Sequence, residues 1–565
     1  MSGLGAVAIV TPWYPSAGAP YAGSFVREWL RALAAPPADV TVVHLEMVPP
    51  DDPRQPFETV TPEGRLLWVG VKAPDHLPRA EAARAQLAAL TPPVRAAIGA
   101  AKTVFAHVTM PSGWAVSQAV GPAQRLVLVE HASYVPQVLG DAAARALFAA
   151  AVERAETVLA AGEGTAEQIR RALPEARRKV WAVGNPMDVE AFPFAAHPPS
   201  GQFRRWLYVG NLFPSKGVGA VVELLADHVR AGGEARLALA GQGWAEEDLR
   251  AQAARLGLAQ RVDFLGGLDR AGVVSAMARA DLMVHLSPAE TFGLAPLEAL
   301  VSGLPLLVAQ NAGTSQTMTP ALAAGRAWMV PPPAPSARWR RAAADGLAGL
   351  GEAVRAAGPA AAEAVRAAIA ERYGLASFGQ LQRRVARGQP PYRLPDAVRP
   401  PLAVAVRTRA AWDQAAEAMR EALWQGRPVV AAVARGRLAA GADPRVVVTV
   451  VPDRAGLALA ASRAAWLAGA MPLKAWALAL RVARRLPPLR RPLLRWAAAA
   501  SRAQGSFNRF NRARLDPAIR RAVGGRRAAQ AWLRAAAAAV PAEAELAVFP
   551  ADGPAVAAEA ARRPS

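Results

Sequence analysis

The chain has 565 residues, no cysteine and a formal net charge of +22. That length exceeds what a single hydrophobic core supports, so two or three domains are expected. The lack of cysteine excludes disulfides, thiolate metal sites and cysteine nucleophiles, and fits a reducing cytosol.

The first residues, "MSGLGAVAIVTPWYP", have neither a charged leader region nor a long apolar run, and predict a β-strand rather than a signal peptide. From Ala6 to about Ala309, short apolar runs alternate with helical patterns: "AVAIVTP", "VTVVHLE", "TVFAHV", "RLVLVEH", "TVLAAG", then "RRWLYVG", "ARLALAG", "RVDFLGG", "DLMVHLS" and "LPLLVA". Runs of this length between helices predict buried strands of parallel sheets. The rhythm breaks over residues 180–203, where Pro, Gly and polar residues read as a linker. The expected fold class is α/β, with two doubly wound, Rossmann-like lobes facing a cleft. One lobe spans 1–184, a linker 185–203, and the other lobe 204–388 with closing helices. A Pro-rich linker, 389–400, precedes a smaller region, 401–565, with four strand-like runs ("LAVAVR", "PVVAAVA", "RVVVTVV", "ELAVFP"), read as an α/β or helical unit or an incomplete second copy of such a lobe.

Three places in the first lobe invite a ligand. Gly18 and Gly23, in "PSAGAPYAGSFVREW", allow close approach of backbone to a ligand. His107 closes a strand in "AHVTMPSGWAV"; a lone histidine is more often structural, but this strand end faces the expected cleft. Glu130 and His131, in "VEHASYV", hold the same end of the next strand.

The second lobe carries the sharper signals. "LYVGNLFPSKGVGAVVELL" puts Gly210, Lys216 and Gly217 between a strand and a helix, where α/β folds bind phosphate. "SPAETFGLAPLEAL" holds two carboxylates, Glu290 and Glu298, with seven residues between them and Pro296 in the first turn of a helix. Backbone N–H groups around Phe292, Gly293 and Leu294 make a ready anion site that suits a diphosphate. Glu298 can accept from the vicinal hydroxyls of a ribose, and Glu290 can reach a sugar on the other side of the diphosphate. The competing reading is a solvated acid plus an acid serving the helix dipole.

Taken together, "YPSAGAPYAGSFVREWLRAL", His107, "GNPMDVEAF", "VGNLFPSKG", "RVDFLGGL", "ADLMVHLSPAETFGLAPLEALVSGLPLLVA" and "AERYGLASFGQLQRRV" resemble the family-four retaining glycosyltransferases of GT-B fold, over about residues 1–388. The resemblance implies that Glu290 lies by the donor sugar, Glu298 holds the ribose, Lys216 binds the diphosphate and His107 reaches the transferred sugar. It also implies no metal and no cofactor, a UDP- or GDP-linked sugar being the substrate. The implied reaction is transfer, with retention, to a hydroxyl of a lipid-linked or polysaccharide acceptor. Three positions depart from the pattern: Asn211 stands where an arginine is usual, with Arg204 or Arg205 as substitutes; Gln242 where an acid is common; and Gln316 where a glutamate often follows the glycines.

Beyond the resemblance, residues 481–534 hold fifteen arginines against Asp516, a net of +14. Solvated helices are the plain reading of this segment; an anionic membrane surface is the next, and nonspecific nucleic acid ranks below lipid. Only five of the 66 basic residues are lysines, so the arginine excess is a compositional bias that weakens both. The expected location is cytoplasmic, with peripheral attachment to the inner face of the membrane as its extension. The rival from another class is a non-catalytic nucleotide-sugar-binding or scaffold protein, motivated by Asn211 and the basic region.

Overall fold

The computed structural model describes residues 4–16, 23–74, 76–195, 201–392, 402–406, 409–424, 429–434, 441–443, 445–450 and 545–548. They fall in two units, Met1–Tyr392 and Arg393–Ser565. Gly18 and the arginine-rich stretch 481–534 lie outside the described residues.

In the first unit, β1 (Val7–Thr11), β2 (Val40–Val48), β3 (Phe57–Thr61), β4 (Gly64–Lys72), β5 (Thr103–His107), β6 (Arg125–Glu130), β7 (Thr157–Ala160) and β8 (Val180–Ala182) make one sheet, ordered β3-β4-β2-β1-β5-β6-β7-β8. Neighbours are parallel except the β3–β4 hairpin at the edge. Strand side chains alternate faces, and both faces are covered: Ala8 and Val10 join one core, Val7 and Ile9 the other.

A second sheet follows, with β9 (Arg205–Val209), β10 (Arg236–Ala240), β11 (Val262–Gly266), β12 (Leu282–His285), β13 (Leu306–Ala309) and β14 (Ala327–Val330) all parallel in the order β11-β10-β9-β12-β13-β14. Its strand order reverses between β9 and β12, the place where open α/β sheets take ligands. Trp206 and Tyr208 face one of its cores and Leu207 the other.

The two lobes meet at the carboxyl ends of their strands. Gly162, just after β7, packs so tightly on Thr291, after β12, that an added Cβ would sit 1.9 Å from the Thr291 carbonyl oxygen. The last helix of the unit, Leu375–Ala386, returns to the first lobe rather than closing the second: Gln382 Nε2 donates to the Trp29 carbonyl at 2.8 Å, and Thr103 Oγ1 to that of Ala386 at 3.2 Å.

In the second unit, β15 (Leu402–Val406), β16 (Val429–Val433), β17 (Val446–Val450) and β18 (Glu545–Val548) form a parallel sheet ordered β17-β16-β15-β18. The first four strands of the second lobe have this same order, β11-β10-β9-β12. Helix Arg409–Trp424 supplies Trp412, Met419 and Leu423 to the core of this unit. Among the described residues no helix is long and apolar enough to cross a membrane.

Candidate active site

On the second lobe, β9 runs into Gly210 and the loop to Lys216, while β12 ends at His285 and leads to Glu290. These two loops close on each other. Lys216 Nζ donates to Glu290 Oε1 at 2.8 Å, and His285 Nε2 lies 3.1 Å from the same oxygen, so the ring carries its proton there. Burial alone would raise the Glu290 pKa, but the His285 hydrogen bond and charge and the Lys216 ammonium more than offset it and hold the carboxyl at about 2. Tyr208 stacks on His285 at 5.7 Å between centroids, and its hydroxyl donates to the Asn211 carbonyl at 3.0 Å, tying the two loops together. Burial first, and the Glu290 charge second, push the Tyr208 hydroxyl upward.

Helix Leu294–Val301 starts from Gly293 at φ 86°, a left-handed turn that favours glycine, and no side chain caps its first turn. The first N–H groups of this helix are therefore free of side-chain acceptors at the strand ends. Phe292 contributes only backbone there, since its ring is buried and packs edge-on against Tyr373 at 4.9 Å. Glu298 occupies a different electrostatic setting from Glu290. Burial raises its carboxyl to about 7, Arg270 pulling it down and Glu28 pushing it up.

Those two neighbours belong to a charge network between the lobes. Arg270, at the start of helix Arg270–Arg279, donates to Glu28 Oε1 at 2.5 Å; Arg31 donates to Asp188 Oδ2 at 2.6 Å. Glu28 and Arg31 lie on helix Ser24–Leu33 of the first lobe, and Asp188 on the connection between lobes. Nearby, Gln316 Oε1 accepts the backbone N–H of Glu163, at the start of helix Glu163–Ala172, at 2.6 Å.

Arg204 and Arg205 do not replace the arginine missing at Asn211. They sit at the opposite end of β9 from Gly210, roughly 16 Å away along a strand of this length. Both backbone N–H groups donate to Asp281 Oδ2, at 3.1 and 2.9 Å, and the Arg205 side chain pairs with Asp281 at 2.6 Å. The Gln242 side chain lies against Gly267, on the loop after β11.

The first lobe presents neutral groups. His107 ends β5 as expected, but its ring is fully buried and does not open directly onto the cleft. Its Nδ1 is 3.0 Å from His131 Nε2, the rings are stacked, and Trp29 packs edge-on at 5.0 Å. Burial, then repulsion from His131, keeps the His107 pKa well below its ordinary value; burial lowers His131 to about 4, with the Asn185 side chain opposing. His107 Nε2 is buried with no protein partner, the kind of atom that calls for an explanation. Glu130 is not a cleft group. It is buried at 1 % exposure and accepts the backbone N–H groups of Thr109 at 3.0 Å and Ala132 at 2.8 Å, so it braces the two strand-end loops. Gly23, at φ 66°, permits a close approach, but to the Trp13 carbonyl: a Cβ there would lie 2.4 Å from its oxygen.

Sequence reasoning missed His285, although a strand-end histidine five residues before Glu290 was a usable signal. Nothing local announces the Glu28–Arg270 contact, whose partners are 242 positions apart.

Residues 192–341 match the family model described as "Glycosyl transferases group 1". Among curated proteins, the chain is 28% identical over 167 residues to the glycogen synthase of Mycobacterium tuberculosis, covering 30% of this chain and 40% of that protein. It is 35% identical over 114 residues to that organism's GDP-mannose-dependent alpha-(1-6)-phosphatidylinositol dimannoside mannosyltransferase, covering 20% and 29%. The chain thus spans less than half the length of these curated relatives. Among solved structures, HepE of Anabaena in complex with UDP and glucose aligns over 67% of this chain and 99% of its own, at 17% identity and TM-score 0.51. A sucrose-phosphate synthase of Thermosynechococcus elongatus aligns over 68% and 100%, at 20% identity and TM-score 0.52. At these identities the likeness establishes the fold, two Rossmann-like lobes of GT-B type.

Proposed function

We propose that this chain, whose residues 192–341 form a glycosyl transferases group 1 module within a GT-B fold, moves a sugar from a nucleotide-sugar donor to an acceptor hydroxyl with retention of configuration. The observation that carries the reading is the meeting of Lys216, Glu290 and His285 beside an uncapped helix start at the reversal point of a parallel sheet. An ammonium and free N–H groups at that spot suit a diphosphate.

In the proposed reaction the anomeric carbon–oxygen bond to the diphosphate breaks, and the nucleoside diphosphate leaves with the electron pair. Lys216 and the backbone at Phe292, Gly293 and Leu294 stabilise the charge that grows on it, while Gly210 and Asn211 line the same loop. The acceptor oxygen bonds to that carbon from the face the nucleotide vacates and loses its proton to the departing phosphate oxygen. Glu290, held ionised, accepts hydroxyls of the transferred sugar and Glu298 those of the ribose, while His107, fully buried, stands behind the transferred sugar as part of the wall rather than bonding it. His131 fixes the proton on the His107 ring. The donor is UDP- or GDP-linked, the acceptor lipid-linked or a glycan, no metal or cofactor takes part, and the enzyme works in the cytoplasm.

Relatives named for GDP-mannose and a solved neighbour holding UDP and glucose support a nucleotide-sugar donor. The test is nucleotide release from UDP-, GDP- and ADP-sugars with EDTA present, comparing wild type with Glu290→Ala. One donor is expected to release nucleotide, with a loss of about a thousandfold in the variant. Equal release by wild type and variant removes Glu290 from the site. No release from any donor, alongside a nucleotide-induced rise in Tm, favours the non-catalytic binding protein.

A further inference from the structure

The first lobe has a cavity of about 590 Å³ at the carboxyl ends of β1, β2 and β4, and its walls differ in kind from the donor side. Trp13, Met47, Leu77 and Tyr134 supply apolar and aromatic surface, with several prolines between them. The basic groups of the described lining are Arg79 and His76, and no described carboxylate lines it. The Arg79 guanidinium lies 3.4 Å from the centroid of the Tyr134 ring, and the Tyr134 hydroxyl donates to the Met110 carbonyl at 3.1 Å. Stacking on an aromatic face fixes the guanidinium without using up its hydrogen-bond donors. A run of packed rings leads from the cavity wall to the histidine pair at the strand ends: Trp13 packs on Phe25 at 6.1 Å, Phe25 on His131 at 4.6 Å, and His131 on His107.

We propose that this cavity is the acceptor site and takes an amphiphile, an apolar or aromatic body against Trp13, Met47 and Leu77 with an anionic group on Arg79. The proposal rests on the glycosyl-transfer reading above and narrows its acceptor from any glycan to one with an apolar part and a negative charge. A bare neutral oligosaccharide needs hydrogen-bond partners for many hydroxyls, and a wall of Pro, Met and Leu offers few. A cationic segment of this same chain is disfavoured by Arg79.

Binding of octyl phosphate, octyl glucoside and maltotriose to the full chain, each below any micelle-forming concentration, tests this by calorimetry, with UDP affinity measured on the same preparations. Octyl phosphate is expected to bind most tightly and not to compete with UDP. Arg79→Gln should weaken octyl phosphate about tenfold, as for a lost charge-assisted hydrogen bond, leave octyl glucoside and UDP unchanged, and Arg79→Lys, which keeps the charge but not the stacked fork, should restore only part of the loss. Tighter binding of maltotriose, indifference to Arg79→Gln, or displacement of octyl phosphate by UDP overturns the assignment. If UDP fails to bind while octyl phosphate shows the expected Arg79 dependence, the donor reading falls and the chemistry of the cavity stands.

Discussion

The strand ends of the two lobes differ in kind although the scaffold is the same. Both lobes are sheets of mainly parallel strands with a strand-end histidine, His107 on one and His285 on the other. His285 is bound to a carboxylate that also holds Lys216, so its surroundings are ionic. His107 is stacked on another histidine and walled by tryptophan, and burial keeps both of these rings neutral. What surrounds the strand end decides its chemistry. On the second lobe charge can be stabilised as it develops, whereas on the first, neutral hydrogen bonding and apolar contact prevail.

The most direct way to break this comparison is to make the second lobe neutral. Lys216→Ala should lower turnover by about a hundredfold to a thousandfold, because it removes the ammonium facing the diphosphate. Steady-state rates with the donor identified by nucleotide release check this. A change confined to KM would move Lys216 from stabilising the leaving group to ground-state binding alone.

A smaller effect separates the two carboxylates of the second lobe. Glu290, at about 2, stays ionised at any working pH, whereas Glu298, at about 7, does not. The folded-state pKa of Glu298 lies above its ordinary value of 4.5, so the stability linked to its neutral form is complete below that value and is lost as pH rises through about 7. Glu298→Gln should therefore be more stable than wild type by about 2 kcal/mol at pH 8 and by little at pH 4.5, read from denaturant melts. Nucleotide binding should run the other way. If ionised Glu298 accepts the ribose hydroxyls, wild-type affinity rises as pH goes from 6 to 8, and the variant's stays flat. A rise that persists in the variant would take Glu298 out of the nucleotide site.

The charged half of the site was the more legible half in the sequence, for a physical reason. A glycine that must turn left-handed, a lysine between strand and helix, and acids flanking a helix start are local patterns, and Gly293, Lys216 and Glu290 come together as those patterns suggest. The first lobe gave a weaker signal, because a buried histidine pair and a carboxylate bracing two loops look, in sequence, like exposed ligand groups. Their positions at strand ends place His107 and Glu130 toward the cleft, yet both side chains are buried. Most strands followed from their apolar runs, including the four of the second unit. Those passed over have particular causes: β3 is an exposed edge, β8 is three residues long within what reads as linker, β14 is four residues long with Trp328 and Met329 partly exposed, and in β4 the run is interrupted by Gly70, where a Cβ would lie 2.7 Å from the Trp68 ring. Contacts between lobes, such as Glu28 with Arg270 across 242 positions, have no local pattern at all.

The mildest test lies at one of those contacts. Gln316 Oε1 accepts the Glu163 N–H where helix Glu163–Ala172 begins, so a carboxylate there keeps the acceptor and adds a favourable interaction with the helix dipole. Glu163 itself is turned toward Arg170, to which it is bonded at 2.8 Å, which limits its repulsion of a second acid. Gln316→Glu should therefore alter stability by less than about 1 kcal/mol. Gln316→Ala leaves the N–H without its cross-lobe acceptor, and should lower stability by about 1 kcal/mol and turnover by a few fold, as the lobes lose a point of registration. Melting curves and turnover on the two variants decide it: equal behaviour of alanine and glutamate would mean that the bond between Gln316 and Glu163 plays no part in holding the lobes together.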